Sequence, residues 1–435
     1  MKKTISIIHY ASPPVVGGVE FVIEAQARYL ISRGFEVKII AGKGQNFLPG
    51  IKFVRIPEIY SLHREVVKAQ EALKKGNTAP FKTLKVHLEK KLREATKNSK
   101  TIIYHNCLNM PFNIALTASC HSLMGNEKRH LVWLHDSPLF DPFYKPLLNS
   151  IETAEYPWNL LTSYSPRALY ITITEERKKQ AINILGIPEE RIRVIPNGIE
   201  VSRFLSLSPA LVYLLKKINA VAPDYVALLP ARLIRRKNIE MGIRIIKEMN
   251  QLHKKVLLLI TAPSDPHRAE DEYRREIKDL IKKLNIEEKI IFLNEFTLAP
   301  EHLHTQGKEA NPLLEECPAS PEKELFPLNF ENLKGLYAIS DFLLLPSTIE
   351  GFGIPVLEAG ISRLPVFCSN LPTLKEVGQD NLYYFSLHDA PETIAERILK
   401  TLAENPFSRL FQRVKKDFDW EKILDNYLLP LLQKC

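Results

Sequence analysis

The sequence predicts an α/β protein built from two doubly wound parallel sheets. Short apolar runs alternate with longer amphipathic segments along most of the chain, which is typical of parallel sheets covered by helices on both faces. The 435 residues exceed what one hydrophobic core usually organises, so two domains of about 200 residues are expected. A Pro196-Asn197-Gly198 turn separates two such series of strands.

The first domain is predicted over residues 1–197. Its predicted strands are short runs rich in Ile, Leu and Val: Thr4–Ile8, Val37–Ala41, Phe53–Ile56, Thr101–His105, Leu131–His135, Leu169–Thr174 and Arg193–Ile195. Amphipathic periodicity predicts helices over Glu20–Leu30 and Asn113–Leu123. The charged stretch Arg64–Lys97 is also predicted helical, with an interruption around Gly76–Pro80.

The second domain is predicted over residues 198–415. Its predicted strands are Tyr225–Leu229, Val256–Thr261, Lys289–Leu293, Asp341–Leu345 and Pro365–Cys368. Helices are expected over Glu240–Asn250 and Asp271–Leu284, and Val201–Pro223 is interpreted as a connecting hinge. Five prolines interrupt the pattern between residues 298 and 329, which indicates an inserted loop. Residues 416–435 contain a further amphipathic helix.

The composition is that of a globular protein without disulfides. Apolar residues make up 45% and charged residues 25% of the chain, which is ordinary for a folded domain. The five cysteines are scattered and odd in number, which favours a reduced, cytoplasmic protein. No run approaches the roughly 18 apolar residues of a membrane span, so we expect at most peripheral contact with the inner face of a membrane.

Positive charge is concentrated in the first quarter of the chain. Residues 1–100 contain 19 Lys and Arg against 8 Asp and Glu, above all between Arg64 and Lys100. This excess indicates an anionic partner for the first domain, which could be a phosphorylated acceptor, an anionic membrane surface or nucleic acid. A solvated helix with surplus lysines explains the pattern equally well.

The segment Pro346–Gly360 contains the most specific pattern in the chain. It follows an apolar strand and carries Glu350, a Gly-Phe-Gly turn, Pro355 and a second carboxylate, Glu358, eight residues after the first. Proline is favoured in the first turn of a helix, so the free N–H groups of the turn would lie at the positive helix end, where phosphate binds well. Two carboxylates beside an anion site suit the hydroxyl groups of a nucleotide sugar.

This segment resembles the E-x(7)-E signature of family 4 glycosyltransferases, which are retaining enzymes of the GT-B fold. The resemblance covers essentially the whole chain. It implies two Rossmann-like domains facing a cleft, with residues 416–435 forming a helix that crosses back to the first domain. It implies that Glu358 binds the ribose and Glu350 the sugar hydroxyls. The donor-binding turn would be Gly351, Phe352, Gly353 and Ile354.

A second motif lies at the end of the strand Tyr225–Leu229. Arg232 and Lys237, five residues apart, resemble the pair that grips the donor diphosphate in this family. Cleavage of the bond to a diphosphate places negative charge on the leaving oxygen, which a guanidinium and an ammonium neutralise. Arg235 and Arg236, which lie between them, are interpreted as surface residues.

Weaker candidates follow strands of the first domain. Gly17 and Gly18 precede a helix and resemble the family's Gly-Gly-x-Glu loop near the diphosphate. His135 ends a strand, where the family commonly places a His-Asp pair near the sugar hydroxyls; a purely structural histidine is the alternative. His105 and Asn106 end the preceding strand and are acceptor-side candidates.

The remaining motifs carry less weight. Glu376 resembles another donor-side position of the family, and Pro196-Asn197-Gly198 resembles its domain junction. Gly42-Lys43-Gly44 lacks the third glycine of a dinucleotide fingerprint. Asp419 of an Asp-x-Asp sequence is better read as a helix N-cap. His302 and His304 have no third ligand at a suitable spacing, so no metal site is expected.

The sequence therefore predicts a retaining hexosyltransferase that moves mannose or glucose, with a slight preference for GDP-mannose, to a hydroxyl acceptor. The acceptor could be a small phosphorylated sugar, a glycerate glycoside, or a lipid-linked or polysaccharide precursor at the membrane face. No cofactor is required by the resemblance, and stimulation by Mg²⁺ is left open. The alternatives are a GT-B nucleotide-sugar 2-epimerase and a non-catalytic nucleic-acid-binding protein, although no nucleic-acid partner is expected.

Overall fold

The computed structural model describes residues 3–136, 154–262, 271–298 and 324–433. The chain divides into two compact units. Unit 1 comprises Met1–Glu200 together with Asp417–Cys435, and unit 2 comprises Val201–Lys416. No helix among the described residues is long and apolar enough to cross a membrane.

Unit 1 contains a seven-stranded parallel sheet in the order β3-β2-β1-β4-β5-β6-β7. The strands are β1 (Thr4–Ile8), β2 (Glu36–Ala41), β3 (Ile51–Arg55), β4 (Thr101–His105), β5 (Arg129–Leu134), β6 (Ala168–Thr172) and β7 (Ile192–Val194). Alternate side chains enter cores on opposite faces: Val132 and Leu134 lie in one core, and Leu131 and Trp133 lie in the other. Continuous apolar runs therefore form strands buried on both faces.

The helices of the first segment of unit 1 are α1 (Gly18–Ser32), α2 (Arg64–Lys74), α3 (Ala79–Ala95), α4 (Ile114–Leu123) and α5 (Glu175–Leu185). The predicted break in the charged helical stretch is confirmed, since α2 and α3 are separate helices. Asn113 begins α4 by accepting a hydrogen bond from the backbone N–H of Leu116. Sequence analysis did not predict α5, whose N-cap is Thr174.

Unit 2 contains a six-stranded parallel sheet in the order β10-β9-β8-β13-β14-β15. The strands are β8 (Tyr225–Leu229), β9 (Val256–Ile260), β10 (Ile290–Phe292), β13 (Phe342–Leu345), β14 (Val366–Ser369) and β15 (Tyr383–Phe385). A separate antiparallel pair, β11 (Thr297–Leu298) and β12 (Glu324–Leu325), lies at the predicted insertion. The interior of that insertion, residues 299–323, lies outside the described residues, as do His302 and His304.

The helices of unit 2 are α6 (Val201–Phe204), α7 (Pro209–Val221), α8 (Ile239–Gln251), α9 (Asp271–Leu284), α10 (Phe330–Ile339), α11 (Ile354–Ile361), α12 (Pro372–Gly378), α13 (Pro391–Glu404) and α14 (Pro406–Asp417). The interpretation of Val201–Pro223 as a simple hinge is corrected, because α6 and α7 occupy most of it. Leu211 of α7 lies where a Cβ on Gly335 of α10 would be, so α7 packs closely into unit 2.

The C-terminal segment packs on the rest of unit 1 through α15 (Trp420–Ile423), a π-helical turn (Leu424–Leu428) and α16 (Leu429–Gln433). Asp419 caps α15 by accepting from the N–H groups of the two residues after Trp420, as predicted. Any Cβ on Gly198 would lie 2.8 Å from both Ile423 Cδ1 and the carbonyl oxygen of Phe418. The Asn-Gly turn is thus the place where the returning chain packs.

Candidate functional site

The motifs of unit 2 meet at the point where the order of its strands reverses. Strands β8 and β13 are neighbours in the sheet, although more than 100 residues of sequence separate them. Arg232 and Lys237 follow the carboxyl end of β8, and Glu350 follows the carboxyl end of β13. In open α/β sheets, ligands bind outside the carboxyl ends of strands at such a switch point.

An ion pair joins the two motifs. The Nζ of Lys237 donates to Oε1 of Glu350 over 2.5 Å, and the Ser347 hydroxyl donates to the same oxygen over 2.7 Å. The side chains of Lys237 and Glu350 are only 14% and 6% exposed, so solvent screens the pair weakly. Arg236 adds a second cation, 3.9 Å from Oε2 of Glu350. The carboxylate is therefore held in a fixed orientation by groups from both motifs.

The turn between Glu350 and α11 has the backbone of a helix N-terminus. Gly353 is the N-cap of α11 with φ of 96°, a conformation that favours glycine, and a Cβ there would lie 2.7 Å from Leu374 of α12. Pro355 occupies the first turn of the helix, as predicted. A Cβ on Gly351 would meet no atom within 4 Å, so the backbone at Gly351 is open to the approach of a ligand.

Glu358 is partnered within its own unit. Its Oε2 accepts a hydrogen bond of 2.5 Å from the hydroxyl of Tyr337 in α10. Burial, followed by this bond to a carboxylate, raises the pKa of Tyr337, so the phenol stays protonated and acts as the donor. Tyr337 thus fixes the rotamer of Glu358, and a diol that uses both carboxylate oxygens would share Oε2 with it.

The other predicted residues of unit 2 lie at the surface. Arg232 is exposed just after β8, and Phe352 and Ile354 are exposed at the start of α11. Arg235 forms a two-bond pair with Glu276, at 2.8 and 2.7 Å. Exposed Glu376 lies on α12, one turn after Thr373, whose hydroxyl donates to the carbonyl oxygen of Glu350 over 3.1 Å.

In unit 1 the candidates form a chain of hydrogen-bonded rings at the switch point between β1 and β4. His105 Nδ1 lies 2.8 Å from His135 Nε2, and His105 Nε2 lies 3.1 Å from Oε1 of Gln26 in α1. His9, which follows β1, contributes its Nδ1 to the carbonyl oxygen of His105 over 2.7 Å. The rings of Trp133, His105 and His135 are stacked on one another.

The orientation of the Gln26 amide determines which ring nitrogens carry protons, and the structure places its Oε1 toward His105. Since Oε1 of Gln26 can only accept, Nε2 of His105 is the donor, and its neutral ring leaves Nδ1 as an acceptor. His135 then donates from Nε2 and keeps Nδ1 unprotonated. Burial and, to a smaller extent, the neighbouring His9 lower the pKa of His135 to about 3. His135 therefore presents a neutral acceptor nitrogen.

Comparison with known families identifies the chain. A family model described as "Glycosyltransferase Family 4" matches residues 16–203, and one described as "Glycosyl transferases group 1" matches residues 322–417. Between them, the two matches span more than half of the chain. The chain belongs to glycosyltransferase family 4. Its two Rossmann-like parallel sheets are those of the GT-B fold, and the predicted fold class is confirmed.

Curated relatives of this glycosyltransferase include three with named activities. The serotype-specific mannosyltransferase WbdA of Escherichia coli is 39% identical over 103 residues, or 22% of this chain and 12% of WbdA. The O-antigen chain mannosyltransferase RfbU of Salmonella typhimurium is 23% identical over 73% of this chain and 74% of its own. The mannosylglucosylglycerate synthase of Petrotoga mobilis is 22% identical over 63% of this chain and 60% of its own.

The chain thus spans only about an eighth of the length of WbdA. Among solved structures, a sucrose-phosphate synthase from Thermosynechococcus elongatus aligns over 99% of both chains with 16% identity and a TM-score of 0.37. The fold assignment rests on the strand orders and the family match rather than on that alignment.

Two candidates in unit 1 of this family 4 chain need correction or refinement. His105 is fully buried and uses both ring nitrogens, which contradicts direct contact with an acceptor; it orients His135 instead. Asn106 has φ of 53°, and its Oδ1 accepts from the backbone N–H groups of His135 at 2.9 Å and Asp136 at 3.3 Å. Asn106 therefore shapes the end of β5, and its contact with an acceptor stays a prediction.

A carboxylate of α1 covers the glycine loop that precedes this helix and limits the binding of a phosphate there. A Cβ on Gly17 would lie 2.2 Å from Oε2 of Glu20, whereas a Cβ on Gly18 would meet nothing within 4 Å. Glu20 is the third residue of the helix, and its carboxylate folds back over the N-cap residue, Gly17. Burial raises the pKa of Glu20. A donor phosphate at these amides would have to displace that carboxylate.

The two glycines of the Gly42-Lys43-Gly44 sequence have structural roles. A Cβ on Gly42 would lie 2.2 Å from the backbone nitrogen of Tyr60, and Gly44 has φ of 135° against Ser12. Among the residues that the structure describes, no three His, Cys, Asp or Glu side chains are grouped so as to hold a metal ion.

Sequence reasoning missed several residues of both sites. Ser347, Tyr337 and Arg236 contact the carboxylates of unit 2, and Thr373 donates to the backbone carbonyl oxygen of Glu350. Gln26 and His9 complete the ring chain of unit 1. A detectable signal existed for Ser347 and Arg236, which lie inside the two motifs of unit 2, and for His9, which follows a buried strand. Gln26 lies within an ordinary amphipathic helix, and nothing in its sequence context distinguishes it.

Proposed function

We propose that this chain is a retaining hexosyltransferase that moves mannose from GDP-mannose to a hydroxyl acceptor. The observation that carries the proposal is the Lys237–Glu350 ion pair, which joins two separate motifs at the switch point of unit 2. The printed names of WbdA, RfbU and the Petrotoga mobilis synthase, all of which refer to mannosyl products or transfer, support mannose as the sugar.

In the proposed donor complex, the open amides beside Gly351 and the N-terminus of α11 bind the phosphates. Arg232 and Lys237 neutralise the charge that develops on the leaving diphosphate. Glu350, oriented by Lys237 and Ser347, accepts hydrogen bonds from the sugar hydroxyls. Glu358, oriented by Tyr337, accepts from the ribose.

The proposed reaction takes place on one face of the sugar. The acceptor oxygen forms a bond to the anomeric carbon while the bond from that carbon to the diphosphate oxygen breaks. The acceptor proton passes to the leaving phosphate, and the configuration is retained. Because Glu350 is held by an ion pair, we assign it to positioning rather than to covalent attack. Mass-spectrometric detection of a glycosylated side chain during turnover would contradict this step.

Calorimetric binding of GDP, UDP and ADP, without added metal, tests the donor site. We expect GDP to bind best and Arg232→Ala to weaken it at least tenfold, because one charge-assisted contact to the diphosphate is lost. Arg235→Ala is the matched control, since Arg235 forms an exposed pair with Glu276, and should change affinity less than twofold. Equal weakening by both variants, or preferential binding of UDP, would contradict the proposal as stated.

The acceptor is proposed to be a hydroxyl of a saccharide or glycoside. With GDP-mannose as donor, NMR spectroscopy of the product would report both the acceptor and the anomeric configuration. Product formation without an acceptor would favour the 2-epimerase alternative. We further propose that no metal is required, so that addition of EDTA should leave the initial rate unchanged.

A further inference from the structure

A basic cavity lies in unit 1, away from the candidate site residues described above. It has a volume of about 650 Å³ and lies at the amino ends of four adjacent strands, β4 to β7. Its lining contains five cationic side chains and one carboxylate: Lys100, Lys128, Arg129, Arg167, Arg191 and Glu127. Volumes of about 300–1,000 Å³ are typical of sites for small molecules.

The cavity is separate from the ring chain of His135. The ring chain follows the carboxyl ends of β4 and β5, and the cavity lies at the opposite edge of the same sheet. Strands of five or six residues place these edges roughly 17 Å apart. A ligand in the cavity therefore makes no contact with the predicted sugar-binding residues of unit 1.

Several of the cations are held by neutral groups. Lys128 donates to the carbonyl oxygens of Thr96 and Lys97, at 2.5 and 3.3 Å, and Arg167 donates to that of Met124 over 2.9 Å. Arg129 donates to the carbonyl oxygen of Leu431. Carbonyl groups orient a cationic side chain without cancelling its charge.

The positive charges act on one another. Burial lowers the pKa of Lys128, and the nearby charges of Lys38 and Arg93 lower it further against the opposing effect of Glu127. Burial also lowers the pKa of His130 to about 4, and the charges of Lys128 and Arg167 contribute in the same direction. Repulsion of this kind costs free energy in folding, and an anion in the cavity would relieve it.

We propose that this cavity binds the phosphate groups of an anionic ligand. Arginine forks match phosphate oxygens in pairs, and a ligand with two phosphate charges would offset most of the excess of four positive charges. Two sources supply this chemistry: the headgroups of an anionic membrane and a soluble phosphorylated molecule. The site does not depend on the proposed transferase reaction.

Inorganic pyrophosphate is the first probe, with the full chain carrying Arg232→Ala so that donor-site binding is reduced. In that background we expect binding measured by calorimetry to weaken at least tenfold in Lys100→Ala/Arg191→Ala. Lys68→Ala/Lys74→Ala on α2 removes the same charge from exposed positions and should change binding less than twofold. Melting temperatures verify that each variant is folded.

Vesicles distinguish the two sources. If the ligand is a lipid headgroup, the wild-type chain cosediments with phosphatidylcholine vesicles containing phosphatidylglycerol, and both pyrophosphate and the cavity substitutions prevent it. If the ligand is soluble, pyrophosphate binds while anionic vesicles retain no more protein than neutral ones. The proposal is overturned if pyrophosphate fails to bind, or if the cavity and α2 variants weaken its binding alike. A change in GDP affinity would report on the donor site alone.

Discussion

The two units share a fold but build their candidate sites from opposite kinds of chemistry. Unit 2 uses a largely buried ion pair, Lys237 with Glu350. Unit 1 uses neutral rings in its interior, with His105 between Gln26 and His135. A charged site depends on a few residues of fixed type, whereas a neutral hydrogen-bonded chain depends on the orientation of each member. The two sites should therefore respond differently to pH and to substitution.

The largest expected difference is in stability toward acid. Burial holds the pKa of five unit 1 histidines below the usual 6.5: His9, His105, His121, His130 and His135. The pKa in the folded unit is about 4 for His9, His121 and His130 and about 3 for His135. Below pH 6.5 the unfolded chain therefore binds protons that the folded unit does not bind, and stability falls as pH falls through this window. The loss is about 1.4 kcal/mol per pH unit for each histidine, enough near pH 5 to offset an ordinary stability of about 5–15 kcal/mol.

Tryptophan fluorescence measures this effect in unit 1 alone, because all three tryptophans, Trp133, Trp158 and Trp420, belong to it. Hydrogen exchange follows unit 2, whose described histidines, His253 and His388, are both exposed. Unit 1 should unfold at the higher pH. His121→Asn should lower its acid midpoint, and His87→Asn, at an exposed position, should not. Coincident transitions of the two units would contradict the comparison.

The next largest effect is expected from Lys237→Ala. It removes the cation that we propose neutralises the leaving diphosphate, and it breaks the ion pair that orients Glu350, so kcat should fall about 10²- to 10³-fold. Steady-state kinetics with GDP-mannose and an acceptor measures the loss. Arg235→Ala serves as the control and should retain kcat within threefold. A Lys237→Ala enzyme of normal kcat would place the leaving-group chemistry elsewhere.

A smaller effect is expected from Gln26 in unit 1. Gln26→Leu removes the acceptor that selects the tautomer of His105, and through it that of His135. We expect kcat to fall about tenfold, equivalent to one misdirected hydrogen bond of about 1.4 kcal/mol. Two-bond proton–nitrogen NMR spectra should show Nδ1 of His135 unprotonated in the wild type and mixed tautomers in the variant.

Gln26→Glu is the matched control variant for that experiment. A carboxylate can also only accept, so it should preserve the wild-type tautomer of His135 and most of the activity. A protonated Nδ1 on His135 in the wild type would show that the Gln26 amide is turned the other way, since rotation of that amide reverses every bond along the chain. The tautomer assignment would then be wrong.

The smallest expected effect is that of Tyr337→Phe. Loss of one hydroxyl that orients Glu358 should weaken nucleotide binding about fivefold, or about 1 kcal/mol, with kcat little changed. Calorimetry with GDP measures the change. Tyr384→Phe removes a hydroxyl that donates only to backbone carbonyls and should leave the affinity unaltered. A loss confined to kcat would mean that Tyr337 acts on the sugar rather than on the ribose.

Local patterns predicted most of the fold. Apolar runs buried on both faces gave nearly all the strands, and Asn113 and Asp419 marked helix starts through their side chains. The short strand β15 was missed, because its three residues, Tyr383–Phe385, carry too little hydrophobic pattern. Val201–Pro223 was misinterpreted for a different reason: its position after a domain-junction turn outweighed its helical periodicity.

Candidate site residues could be predicted from the sequence where a charged side chain follows a buried strand, because a charge near the core costs free energy unless it has a partner or a ligand. Glu350 and Lys237, in the loops that follow β13 and β8, fit that description. Tyr337, Gln26 and Thr373 acquire their roles only from contacts with residues far away in sequence, and each is otherwise an ordinary helical residue. His105 shows the converse, since a polar residue at a strand end pointed to a ligand but serves a neighbouring ring.

The return of the C-terminal segment has a consequence for synthesis on the ribosome. Trp420 and Leu428 belong to the same core as Ile5 and Ile7 of β1, yet all of unit 2 is translated between them. Unit 1 therefore cannot close this core when its first 200 residues emerge, and that apolar face stays uncovered until unit 2 is made. The first unit to be translated is the last to be completed.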